Sequence, residues 1–178
     1  MALTLISTST ASASATLDIT SGITSTYDSY EFHFVNMHPA TDSTYFKFQV
    51  NAAGLTGFNE VMTTTAFQAY HNESDSATVL DYYTGVDQAQ GTAYQHLSNN
   101  AGNDNDQSVS GVLTLYAPSS TTYVKHFVAR SNTYHSGDYS IDLYFAGYIN
   151  TTAAIDEISF KFNSGNTDAG TIKMFGVS

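Results

Sequence analysis

Cysteine and tryptophan are missing from this sequence, proline occurs twice, and only five residues are Lys or Arg. Without cysteine there is no disulfide framework and no thiolate metal site. A domain of this length does not need such staples, since it buries roughly 70% of the surface its unfolded chain exposes. The lack of disulfides leaves the redox compartment open. Five cations against 16 carboxylates give a net charge of −11. Phosphate binding requires clustered Lys and Arg, so nucleic acid is not an expected partner. The surplus of acid is accounted for by solubility. No stretch approaches the ~18 apolar residues of a membrane helix, so no membrane is expected. The opening Met1-Ala2-Leu3-Thr4-Leu5-Ile6 has neither the basic start nor the apolar run of an export signal. The expected location is the cytoplasm of the cell that makes the protein, with release by assembly or lysis.

What the chain does contain is Ser, Thr, Asn, Gly and Tyr, while charged residues make up 12%, about half of the ~25% typical of soluble domains. Apolar residues alternate with polar ones. Tyr30, Phe32 and Phe34 share one face, as do Ile141, Leu143 and Phe145, then Ile158, Phe160 and Phe162, then Ile172 and Met174. A period of two is that of strands with one buried face. Candidate strands fall near 2–8, 13–20, 28–37, 44–51, 61–70, 77–83, 108–116, 122–131, 139–149, 154–163 and 169–177, of which one or two are expected to fail. Turn signals such as Ser21-Gly22, His38-Pro39, Ser136-Gly137-Asp138 and Ser164-Gly165-Asn166 separate them. The pattern predicts one all-β domain over 1–178: an antiparallel β-sandwich, jelly-roll-like, of about eight to ten strands.

Three segments stand apart. Val86 to Leu97 is the one helix candidate, but Gly91 interrupts it and limits it to a short turn. Residues 98–106 are polar and read as a mobile or contact-forming loop. Residues 1–26 are rich in Ser and Thr. They are expected to form a hairpin of Leu3-Thr4-Leu5 with Thr16-Leu17-Asp18-Ile19, or an arm laid on a neighbour.

Motifs for chemistry are sparse. The six histidines, His33, His38, His71, His96, His126 and His135, form no HExxH or HxH pattern. Asn103-Asp104-Asn105-Asp106 alternates oxygen ligands, which makes Asp104 and Asp106 calcium candidates. The Gly and Glu that complete an EF-hand loop are missing. No other cofactor is indicated. Asp156-Glu157 is an adjacent pair, and strand neighbours point to opposite faces, so the two cannot act as an acid–base couple. There is no GxSxG and no phosphate-binding glycine loop. The sequence does not read as an enzyme. Asn72-Glu73-Ser74 and Asn150-Thr151-Thr152 match the glycosylation pattern and are treated as chance. The 13 tyrosines, among them Tyr27, Tyr30, Tyr82, Tyr83, Tyr94, Tyr123, Tyr134, Tyr139, Tyr144 and Tyr148, either supply contact surface or fill the margins of a sheet.

The stretch from Ile155 to Val177 carries Ser164-Gly165-Asn166 between two strands, then Gly170-Thr171-Ile172, then Phe175-Gly176-Val177. It resembles the closing hairpin of jelly-roll virion proteins of tailed bacteriophages, those of marine bacteria in particular, where Tyr-Gly-Ile is commoner at the last position. The resemblance implies a structural role in the virion. Within it, a head-decoration or cement protein is expected, a homo-oligomer in contact with the major capsid protein or neighbouring copies. The alternative is a tail-fibre or carbohydrate-binding module that attaches to glycans of the host surface. A hydrolase on the same scaffold is the third and least supported reading.

Overall fold

In most of the long strands Phe, Ile, Leu, Val and Met fill the inward positions, as Phe32, Leu143, Ile158 and Met174 do, so a buried face holds each of these strands. A computed structural model describes residues 2–178. Its strands are β1 (Leu3–Thr10), β2 (Leu17–Ile19), β3 (Ser29–Pro39), β4 (Phe46–Ala52), β5 (Met62–Asn72), β6 (Thr78–Tyr82), β7 (Gln95–His96), β8 (Val109–Tyr116), β9 (Lys125–His135), β10 (Tyr139–Ile149), β11 (Ile155–Phe162) and β12 (Thr167–Val177). No helix occurs among the described residues.

The strands form two antiparallel sheets packed as a sandwich. One has eight strands in the order β1-β12-β3-β8-β9-β10-β5-β6, the other four in the order β2-β11-β4-β7. Four pairs are nested: β3 with β12, β4 with β11, β5 with β10, and β8 with β9. A long hairpin rolled up on itself pairs in this way, which is the logic of a jelly roll. The division into eight and four strands departs from the even split of that fold.

Aromatic rings hold the two sheets together. Phe46 of the small sheet lies 5.4 Å from Phe34, Phe160 lies 5.8 Å from Phe32, and Phe48 meets Phe127 edge-on at 5.1 Å. All six are buried in a single cluster, at separations where aromatic pairs add to simple area burial.

All eleven candidate segments form strands and β7 is an addition, so the twelve strands exceed the eight to ten expected. The N-terminal hairpin is not. Leu3–Thr10 pairs with β12, whereas Leu17–Ile19 pairs with β11 in the opposite sheet. The chain follows β12 down through the Ala11 N–H to Gly170 carbonyl bond (2.9 Å) and the Ser14–Thr167 bridge, then crosses over. The two N-terminal strands therefore shadow the two C-terminal ones. Small side chains make the crossing feasible: Ala11 is buried at the corner, and Ala13 adopts a positive φ of 50°.

The helix candidate is extended. Gly91 and Met62 exchange two backbone hydrogen bonds, at 2.8 and 3.0 Å, and β7 follows. The reason lies in the unequal sheets. Four strands cannot cover eight, so the segment 84–101 closes the gap over the inner faces of β5 and β9. A segment without its own ladder must find partners for its backbone. Inward positions there are accordingly polar: Thr64, Gln68, Ser131 and Thr133. Gln95, fully buried, accepts from the Thr64 hydroxyl (2.8 Å) and donates to the Val86 carbonyl (2.9 Å). The Asn99 amide donates to Gln68 (3.1 Å), and the Ser131 hydroxyl donates to the Leu97 carbonyl. The loop 98–106 is correspondingly not free. Ser98, Asn99 and Ala101 are buried, Ser98 caps the Phe46 N–H at 2.7 Å, and Ala101 bridges both Thr44 and His135. Only 103–106 project into solvent.

Candidate functional site

The outer face of the eight-stranded sheet is uncovered, and the register aligns its side chains in rows. One row runs Tyr82, Phe67, Tyr144, Arg130, Val112 across β6, β5, β10, β9 and β8. Phe67 and Tyr144 stack in parallel with centroids 4.7 Å apart, and the Arg130 guanidinium lies 4.7 Å from the other side of the Tyr144 ring. That spacing equals the separation of neighbouring strands, so the planar groups stand upright as a ridge. Asp142 holds Arg130 through two hydrogen bonds of 3.0 and 2.8 Å. Beyond the ridge lies a row of smaller residues, Thr65, Ala146, Val128 and Thr114. Tyr148 and His126 form the next row, with their rings 6.4 Å apart. Two aromatic ridges therefore flank a shallow trough that crosses the strands.

The exposure here is large for apolar groups: 76% for Leu80, 51% for Tyr82, 45% for Phe67 and 42% for Val128. Tyr82 lies directly opposite Phe67 with Leu80 one step along the same edge, and Val128 stands two strands from Phe67 in the next row. Exposed apolar surface of this kind marks interaction sites. At the far side of the same sheet Leu3 and Leu5 are exposed on β1, an edge strand without charge or proline. Edges of that composition are open to pairing with another chain.

The positions singled out by sequence are dispersed. Asp104 and Asp106 lie on an exposed turn closed by the Gln107 N–H to Asp104 carbonyl bond (2.8 Å). The Gln107 amide turns back to accept from the Asp104 N–H (3.1 Å). The turn is completed by its own backbone, and no group of three or more His, Asp or Glu arranged for a metal is found among the described residues. Asp156 is the unpaired residue of a β-bulge between Ile155, opposite Ala52, and Glu157, opposite Asn51, so the strict alternation expected there is interrupted. Glu157 accepts from the Asn51 amide at 2.9 Å and serves the fold.

The histidines divide in the same manner. His33 pairs with Glu31 at 2.7 Å and His71 with Asp75 at 2.9 Å. His96 is mostly buried against Tyr45 at 4.6 Å, and desolvation, aided by the Lys47 charge, pushes its pKa down to about 3. Among the tyrosines, Tyr30 is core, fully buried with its hydroxyl donating to the Thr24 carbonyl (2.9 Å). Tyr82, Tyr134, Tyr144 and Tyr148 are brought to the outer face. Sequence reasoning missed Arg130 and Phe67. The signal was their place in strands whose partners were unknown, since only register brings 67, 130 and 144 side by side.

Comparison with protein-family models, with curated proteins and with solved structures returns no match.

Proposed function

We propose that the chain is a structural protein of a tailed-bacteriophage particle, a head-decoration protein that associates with capsid subunits and with its own copies. The observation that carries this reading is the uncovered outer face with its ridge of Phe67, Tyr144 and Arg130. Aromatic residues and Arg are the types enriched in protein interfaces, where Lys and Glu are depleted. The closing hairpin around Ser164-Gly165-Asn166 supports the particle context through its resemblance to virion proteins. The low charge density and the bare β1 edge suit packing in many symmetric copies.

The test is co-purification. Particles banded on a density gradient and analysed by mass spectrometry are expected to contain the protein in many copies, and an antibody against it should decorate heads under the electron microscope. A protein that remains monomeric and never bands with particles would sink the proposal. Phe67→Ser with Tyr144→Ser is expected to lower particle occupancy at least tenfold while leaving the fold intact, because both side chains lie outside the core.

A further inference from the structure

A second feature on the same face goes beyond assembly. Where the β5–β6 turn meets the β9–β10 hairpin there is a pocket of about 400 Å³, lined by His71, Glu73, Asp75, Asn132, Tyr134 and Ser140 among others. Register explains the convergence: His71 pairs with Ser140, which pairs with Tyr134, so three strands deliver one row to this spot.

The pocket is built rather than incidental. Asn72 locks the β5–β6 turn: its amide donates to the Ser74 and Ser76 hydroxyls at 2.8 Å each, and its oxygen accepts from the Ser76 and Ala77 N–H groups at 2.9 Å. The Glu73 N–H donates to the Asp138 carbonyl (3.0 Å), which ties that turn to the hairpin opposite. The lining side chains are each held by one atom. His71 binds Asp75, the Tyr134 hydroxyl donates to Glu73 (2.9 Å), and the Asn132 amide donates to the Ser140 hydroxyl (3.0 Å) and the Ile141 carbonyl (3.2 Å). The second carboxylate oxygens of Glu73 and Asp75 and the amide oxygen of Asn132 have no hydrogen-bond partner among the described residues. Preorganised groups of this kind reduce the ordering cost of a ligand.

The chemistry of the lining selects the ligand class. The open positions are three acceptor oxygens and the Ser140 hydroxyl proton, so the ligand must chiefly donate and can also accept. Each carboxylate already has one partner: Asp75 lies 2.9 Å from His71, and Glu73 accepts from the Tyr134 hydroxyl, a hydrogen bond that pushes the phenol up to about 12, while the two negative charges exclude an anionic ligand. The requirements are therefore donors for those oxygens and an apolar face to lie against the Tyr134 ring. Hydroxyl groups on a ring with an apolar face satisfy both requirements.

We infer that this pocket binds an uncharged, hydroxyl-rich ligand of the saccharide class. The experiment is a titration of the isotope-labelled full chain with maltotetraose, cellotetraose and chitotetraose, followed by amide NMR shifts, with spermidine as a cationic arm. At least one saccharide is expected to give saturable shifts confined to residues 71–75 and 132–140. Asn132→Ala and Glu73→Gln should each weaken binding about tenfold, while Asp156→Asn, remote from the pocket, leaves it unchanged. No saturable shift with any of the three, or shifts that survive both pocket variants, overturns the inference. So does a stronger response to spermidine than to the saccharides. Either failure leaves the particle reading standing, because that reading depends on the ridge and not on this pocket.

Discussion

Gln95 sits between the sheets with its donors and acceptor engaged, and its replacement shows what a buried amide is worth. Gln95→Leu would leave the Thr64 hydroxyl proton and the Val86 carbonyl without these partners in the interior, the Thr64 oxygen keeping only the Gln88 N–H. Leaving a buried polar group unmet costs about 1–3 kcal/mol. The expected loss of unfolding free energy is therefore about 2–4 kcal/mol, read as a lower denaturant midpoint at unchanged slope. His96 adds a pH dependence. Its folded pKa of about 3 lies below the ordinary 6.5 because burial disfavours the charged ring. Between those values the unfolded chain binds the proton and the folded one does not, so stability falls as the pH drops from about 6.5 toward 3. The slope is about 1.4 kcal/mol per pH unit at most. His96→Gln should flatten that part of the stability curve relative to the parent. Equal slopes in both proteins would show that the ring does not titrate there.

Gly170 is required at the bulge in β12. It has a φ of +118°, and a Cβ would lie 2.7 Å from the Asn36 carbonyl oxygen and 2.8 Å from the Met37 Cα. Both are backbone atoms that cannot swing away. Gly170→Ala is expected to destabilise by more than about 1 kcal/mol and to loosen the β3–β12 ladder, visible as faster amide exchange. Leu5→Lys on β1 should do the opposite of harm. It leaves stability within about 0.5 kcal/mol, since the side chain is exposed, yet it blocks edge-to-edge pairing. Sedimentation velocity separates the two effects. Alternation made the strands legible in the sequence, and Tyr30-Glu31-Phe32-His33-Phe34 needs no more than its own pattern to declare a buried face. The partner of each strand was not legible. Leu3–Leu5 and Leu17–Ile19 resemble the arms of a hairpin, but each gains more by joining β12 and β11, whose edges would otherwise be bare. The segment 84–101 was obscure for a related reason: its shape answers to a gap left by the unequal sheets, which no local pattern encodes. The ridge and the pocket were obscure because both are products of register.

At the scale of the whole molecule, a net charge of −11 sets how copies meet. Like-charged bodies repel over a Debye length, about 30 Å at 0.01 M salt and about 8 Å at 0.15 M. Self-association through the apolar ridge is expected to strengthen as salt rises across that range, measured by sedimentation equilibrium. Weakening would instead point to ion pairs at the contact. The β1–β12 ladder has a further consequence. Leu3 faces Val177 directly, so the chain enters and leaves at one corner of the large sheet. A short flexible peptide joining the two ends would close a ring without bending a strand. New ends cut into the exposed turn at 103–106 would then yield a permuted chain of the same fold. The same corner would let the domain be inserted whole into a surface loop of another protein, as a pendant held at a single point with its ridge and pocket facing outward.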